Sequence, residues 1–325
     1  MPLRIGILGA ARIVPNALVR PARSVPAVEV AAVAARDRGR AEAFAARHRI
    51  GVVHDGYAEL VADPAIDAVY VPLPNGLHRQ WTLAALAAGK HVLCEKPFTA
   101  NAEEAREVER AARDTGLVVM EAFHYRYHPL IARVLEILPT LGDLRHVEAA
   151  TCFPLPDPRD IRYDFSLAGG AMMDAGCYAV HLLRTLAGAE PEVTAATAAL
   201  RKPAVDRAMT AEYRLPGGAT GRTAASLWSR RVLNVSASWT GSEGSVKIFN
   251  YLAPSLYHRL TVTRGGRTTH EKVPGEATYV HQLRAFAAAV QDGGENLTPP
   301  ADSVRTMSVI DAVYRAAGLP VRGTA

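Results

Sequence analysis

Between Arg4 and Glu121, short apolar and β-branched runs alternate with Ala-rich stretches of helical period. A chain with this alternation folds as a parallel sheet wrapped by helices. The runs fall at residues 4–8, 28–34, 52–54, 68–71, 91–94 and 118–121, with helices between them. One of these helices is predicted over 101–115, with Asn101 as N-cap and Gly116 as the C-terminal stop. After about Gly142 the period changes. Longer alternating segments at 146–153, 193–200, 209–215, 220–227, 233–239 and 245–249 are separated by Pro216-Gly217-Gly218, Gly241-Ser242-Glu243-Gly244 and Gly265-Gly266. Such spacing predicts antiparallel hairpins. Helical stretches at 170–187, 279–292 and 303–317 interrupt or close that second body.

The fold class is therefore α/β followed by α+β. A doubly wound N-terminal domain over 1–122 precedes a mostly antiparallel domain with helices on one face over 123–325, and the last helix is expected to pack back on the first domain. The length of 325 residues suits two domains. Apolar runs are broken by Arg, Asp, Pro or Gly well short of a membrane span. Met1-Pro2-Leu3-Arg4 leads straight into the first strand without a leader pattern, which places the chain in the cytoplasm. Cys94, Cys152 and Cys177 are too scattered for a disulfide framework or a tetrahedral metal site, so no metal is expected. A net charge of +5, dispersed along the chain, argues against a nucleic-acid partner.

The turn Gly9-Ala10-Ala11-Arg12-Ile13 follows the first strand and opens a helix, the setting in which backbone N–H groups face a pyrophosphate. Against G-x-G-x-x-G, Ala11 and Val14 stand where the second and third glycines would be, so a tight strand-to-helix turn without a nucleotide is the alternative. The second strand ends in Ala35-Arg36-Asp37. An arginine there accommodates a 2′-phosphate, with Arg40 one helical turn on, and this points to NADP; Asp37 keeps NAD possible.

In an open parallel sheet, ligands bind beyond the carboxyl ends of the strands. Three such ends carry unusual segments: Leu73-Pro74-Asn75 with His78, Glu95-Lys96-Pro97, and Glu121-Ala122-Phe123-His124-Tyr125-Arg126-Tyr127-His128-Pro129. Together with the glycine turn, with Ile161-Arg162 and with the run from Gly169 through Asp174 to Tyr178, they resemble the Gfo/Idh/MocA oxidoreductases, and most of all the dihydrodiol dehydrogenase and sugar 3-ketoreductase subgroup. The resemblance runs motif after motif to about Leu186 and is looser beyond.

It implies a Rossmann domain and hydride transfer between NADP(H) and a carbonyl or secondary alcohol of a sugar, polyol or cyclic diol. Lys96 would lie beside the nicotinamide ribose and the reacting carbon, and Tyr178 would be the proton donor to the substrate oxygen. Gly9 to Ile13, Arg36, Arg40, Leu73, Pro74, Asn75, His78, Glu95, Lys96 and Arg126 would line the cofactor. On a regular helix Asp174, Tyr178 and His181 share one face. The resemblance implies that Asp174 binds substrate hydroxyls or orients Tyr178, and that His181 is the competing acid, since some relatives use a histidine on this helix and its pKa of ~6.5 suits proton transfer. Packing with satisfied polar tips is the plain alternative for Tyr178 and His181. Arg162 is a substrate clamp or an ion-pair partner. Other classes on this scaffold are a glycosidase that retains its dinucleotide and a non-catalytic cofactor-sensing protein. The second domain's sheet, with helices on one face, predicts a homodimer or homotetramer that covers the other.

Overall fold

The computed structural model describes residues 1–228 and 233–323. In chain order the first elements are β1 (Leu3–Leu8), α1 (Arg20–Ala22), β2 (Val28–Ala34), α2 (Arg38–His48), β3 (Val52–His54) and α3 (Tyr57–Ala62). They are followed by β4 (Ala68–Val71), α4 (His78–Ala87), β5 (His91–Cys94), α5 (Ala102–Thr115), β6 (Val119–Glu121) and α6 (Pro129–Ile137). Then come β7 (Leu144–Cys152), α7 (Cys177–Ala187), β8 (Glu192–Lys202), β9 (Val205–Arg214), β10 (Thr220–Ser226), β11 (Asn234–Gly241) and β12 (Gly244–Phe249). The chain closes with β13 (Arg259–Arg264), β14 (Arg267–Glu271), α8 (Thr278–Asp292) and α9 (Pro300–Ala316).

Two compact units result, one of Met1–Tyr127 with Ala277–Val304, the other of His128–Glu276 with Arg305–Ala325. The first holds a parallel sheet in the order β3-β2-β1-β4-β5-β6. Its strand order reverses between β1 and β4, so the crevice at their carboxyl ends is where ligands gather in such sheets. The sheet core of Ile5, Ile7, Val33, Tyr70, Leu93 and Met120 is continued by Val280, Leu283 and Phe286 of α8. It is thus α8, the penultimate helix, whose apolar face is buried in the first unit, where sequence analysis looked to the last. Which sheet buries such a face depends on partners more than 150 residues away, such as Thr278 against His124. Local periodicity carries no sign of them.

Helix α5 begins and ends as its sequence predicts. Asn101 accepts from Glu104 N at 3.0 Å, Glu104 reaches back to Ala100 N at 3.0 Å, and Gly116 takes φ +67° at the C-terminus.

The second unit holds an eight-stranded sheet, β14-β13-β12-β11-β7-β10-β9-β8, antiparallel except for the β7–β10 pair. The additional strands β13 and β14 flank Gly265-Gly266. Helix α7 packs on β7 and β10 and is buried along nearly its whole length. Polar side chains including Glu148, Arg222, Ser236, Ser238, Lys247 and Arg259 line a groove on the same sheet. Trp239 is in the core and Trp228 is half-exposed.

Candidate active site

In the first unit the glycine turn and the β4 turn meet. Gly9 has φ +110°, a conformation that favours glycine, and a Cβ there would lie 3.0 Å from Leu73 Cδ2. Gly9 N donates to Ala34 O at 2.7 Å, which docks the turn on the end of β2. Ala10 and Ala11 are half-buried, Arg12 and Ile13 are exposed, and Val14 is fully buried. The last of these explains the absent third glycine: the position faces the core cluster beneath the turn. The helix that follows starts as a π-turn over Pro15–Val19.

At the end of β2, Asp37 caps α2 by accepting from Arg40 N at 2.7 Å. Its carboxylate is thereby engaged in the helix terminus, whereas Arg36 and Arg40 are exposed. Tyr57 supports this corner. Its hydroxyl would be 3.7 Å from a Gly9 Cβ and makes a backbone hydrogen bond with Arg36; burial raises its pKa above the ordinary tyrosine value.

The Lys96 turn is braced by two hydrogen bonds, from His78 and from Tyr70, and its charge is felt by a third buried residue, His124. His78 is fully buried, with Nδ1 2.8 Å from Pro97 O and Nε2 2.8 Å from Leu73 O. Burial pushes its pKa down, against an upward push from the two carbonyls. It ties the β4 turn to the Lys96 turn from beneath. Tyr70 on β4 donates to Glu95 Oε1 at 2.6 Å, and burial, then the Glu95 charge, keeps the phenol protonated. His124, after β6, lies 2.7 Å from Thr278 Oγ1 through Nδ1 and packs on the Tyr279 ring at 4.0 Å. Burial, then the Lys96 charge, drives the His124 pKa down to about 3. Lys96 itself is half-exposed, its peptide to Pro97 is cis, and Asn75, Pro74 and Arg126 are half-buried. Tyr57, Tyr70 and Tyr279 escaped sequence analysis because each lies inside an ordinary strand or helix pattern.

In the second unit the predicted helix is not uniform. Met172–Gly176 forms a π-turn and α7 starts at Cys177. Asp174 therefore lies one π-turn before Tyr178, and only Tyr178 and His181 share a regular α-helical face. Single π-turns recur at functional sites. Gly176 permits this one, since a Cβ would overlap the Met172 sulfur and sit 3.2 Å from Ala225 Cβ on β10. Tyr178 retains 6% exposure and His181 1%.

Of the two readings open for Arg162, the ion pair is found. Nε donates to Asp174 Oδ2 at 2.9 Å and Nη1 to Asp160 Oδ1 at 3.0 Å. Asp174, then Asp160, raises the arginine's pKa, against the effect of burial. A guanidinium so engaged holds the Asp174 carboxylate in place. His128 caps α6, and Tyr127 bonds Thr298 Oγ1 at 2.8 Å, so both have structural partners. Among the described residues no cluster could hold a metal ion, and no helix is long and apolar enough to cross a membrane.

Comparison with known proteins agrees with this architecture. The model of an oxidoreductase family with an NAD-binding Rossmann fold, GFO/IDH/MocA, matches residues 3–123, and that family's C-terminal domain matches residues 139–247. A D-xylose 1-dehydrogenase (NADP(+)) of Haloferax volcanii is 38% identical over 97% of both chains. A trans-1,2-dihydrobenzene-1,2-diol dehydrogenase of Mus musculus is 37% identical over 78% of this chain and 77% of its own. Among solved structures, a 3-ketoreductase from Actinomadura kijaniata in complex with NADP and TDP-benzene superposes with a TM-score of 0.89 at 31% identity, covering 97% of this chain and 98% of that one.

Proposed function

Because the chain belongs to the Gfo/Idh/MocA oxidoreductase family, we propose that it transfers a hydride between NADP(H) and a carbonyl or secondary alcohol of a sugar, polyol or cyclic diol. The observation that carries the reading is the Glu95-Lys96-Pro97 turn. It lies at the carboxyl end of β5, is braced by His78 and Tyr70, and leaves the lysine half-exposed.

The residues fit the cofactor. The Gly9 turn has the open backbone that a pyrophosphate approaches, and Arg36 is exposed at the end of β2 while Asp37 is engaged as a helix cap. Arg36 then reads the 2′-phosphate, with Arg40 beside it. When bound, the dinucleotide supplies or accepts the hydride. The protein's own contribution is to the oxygen: Tyr178 protonates the forming alkoxide, and the Lys96 ammonium stabilises negative charge there and hydrogen-bonds the ribose. Asp174, oriented by Arg162, accepts hydrogen bonds from substrate hydroxyls. In the oxidative direction the same groups take the proton away.

Incubation with NADPH and a panel of keto-sugars, dicarbonyls and cyclic diols tests the reading. Stoichiometric NADPH oxidation with one class of carbonyl is expected. Hydrolysis of a glycoside without net cofactor consumption, or NADPH binding with no turnover of any member, would overturn it. We place the enzyme in the cytoplasm and assign it a homodimer or homotetramer, in which a second copy covers the groove-bearing face of the large sheet. Light scattering at micromolar concentration giving only the monomer mass of 34.8 kDa would defeat that assignment.

A further inference from the structure

We propose that Arg322 and Asp206 form a buried latch that sets the first turn of the site helix and so positions Asp174 and Tyr178; the idea rests on the functional reading of that helix given above. Both side chains are completely buried. Asp206, near the start of β9, accepts from Met172 N at 2.7 Å through Oδ2, and through Oδ1 from Arg322 Nη2 at 2.9 Å and Tyr314 Oη at 3.0 Å. Arg322 donates from Nε to Gly169 O at 2.7 Å and from Nη1 to Pro320 O at 2.9 Å. Its guanidinium lies 4.0 Å from the centre of the Tyr314 ring and 5.0 Å from that of Phe165.

The pair thus holds the chain on both sides of Gly170, at the carbonyl of Gly169 and the N–H of Met172. Gly170 has φ +140°, and a Cβ on it would overlap Asp206 Oδ1, so the close approach of the latch depends on this glycine. The same turn reaches the site directly. Gly170 N donates to Arg162 O at 2.8 Å, Gly170 O accepts from Asp174 N at 3.0 Å, and the Arg162 side chain holds the Asp174 carboxylate. Rotation of the Gly169–Met172 backbone therefore carries Asp174 with it, and with Asp174 the π-turn that leads into Tyr178. Both Asp206 oxygens and three guanidinium nitrogens are engaged, so the turn has one arrangement that satisfies them all. A buried ion pair returns little net stability over a well-packed apolar pair. What this one supplies is a fixed geometry six to nine residues before Tyr178. Neither residue is assigned a contact with substrate; they are positioning residues.

Arg322→Met and Tyr314→Phe test the latch, with kcat expressed per NADPH-binding site so that unfolded protein does not count. For Arg322→Met, kcat should fall by at least about tenfold, since a displacement of ~1 Å at a reacting group costs that much or more. The KM for NADPH should stay within about twofold of wild type, because the cofactor residues belong to the other unit. Tyr314→Phe, which keeps both charges and removes one donor, should lower kcat by roughly two- to tenfold; it decides the matter by the same criterion if Arg322→Met does not fold. Wild-type kcat per site in the folding variants, with only a lower thermal midpoint, would overturn the latch. Tyr178→Phe measured beside them keeps the two ideas apart. The latch is judged on its own variants whichever side chain proves to be the acid, and the reading of Tyr178 on that variant alone.

Discussion

The turn that carries Lys96 and the helix that carries Tyr178 are held by different kinds of interaction. Around Lys96 the contacts involve buried rings and a phenol: His78 with both nitrogens near carbonyls, one of which a neutral ring can donate to, and Tyr70 on the Glu95 carboxylate, with His124 on Thr278 close by. Around the helix they are charge pairs, Arg162 with Asp160 and Asp174, and Arg322 with Asp206. Two hydrogen bonds of that turn run through Pro97 O and the Glu95 carboxylate, so replacing the Lys96 side chain leaves those two contacts in place. Charge pairs impose direction, and their loss strands a partner in a low-dielectric interior. The first arrangement is exposed to acid through its histidines; in the second, burial raises the Asp206 pKa against the pull of the Arg322 charge.

Lys96→Met sharpens this contrast most. Turnover should fall by about 10²–10³-fold, the scale for loss of an electrostatic stabiliser, with the thermal midpoint nearly unchanged. A large drop in midpoint by calorimetry would show that the lysine is part of the brace. Arg36→Ala should weaken NADPH binding by about 1.5–3 kcal/mol, roughly 10- to 150-fold, and leave NADH binding almost unaltered. Equal losses in fluorescence titrations with the two cofactors would remove Arg36 as the phosphate reader.

Acid tests the first arrangement. The His124 pKa lies at about 3 in the folded protein, and that of a solvated imidazole near 6.5. Between those values the unfolded chain binds the extra proton, so stability rises with pH. The contribution of His124 is fully present above about pH 6.5 and is lost as pH falls towards 3, at pH 5 by about 2 kcal/mol. His124→Gln should flatten this limb when urea midpoints at pH 7 and pH 5 are compared; an unchanged slope would assign the sensitivity elsewhere. The smallest expected effect is Asn101→Ala, which removes the cap of α5 at a cost of about 1 kcal/mol and leaves kinetics alone. Altered kinetics in that variant would mean that α5 transmits to the Lys96 turn.

Much of the first unit is legible in the sequence because its signals are local. The six strands, the Asn101 cap with Gly116, and the place of Glu95-Lys96-Pro97 beyond β5 each follow from a window of a few residues. The supports of the site are not local. Arg322 meets Asp206 across 116 positions, and His124 meets Thr278 across 154. The return of α8 to the first unit is of the same kind. The Gly169-Gly170 pair is a sequence sign that the chain can turn sharply there, but it does not name Asp206 or Arg322 as the partners of that turn. The π-turn at Met172–Gly176 had no such sign, because its residues fit an α-helical pattern equally well.

Tyr178 is proposed to deliver the proton. Single-turnover hydride transfer from saturating NADPH, followed by nicotinamide absorbance with an accepted carbonyl substrate, tests it in the Tyr178→Phe and His181→Ala variants. Tyr178→Phe is expected to bind NADPH normally and lose about 10²–10⁴-fold in rate, while His181→Ala, once folded, stays much closer to wild type. Near-normal transfer in Tyr178→Phe together with its abolition in His181→Ala, NADPH being bound in both, would contradict the account and move the proton to His181.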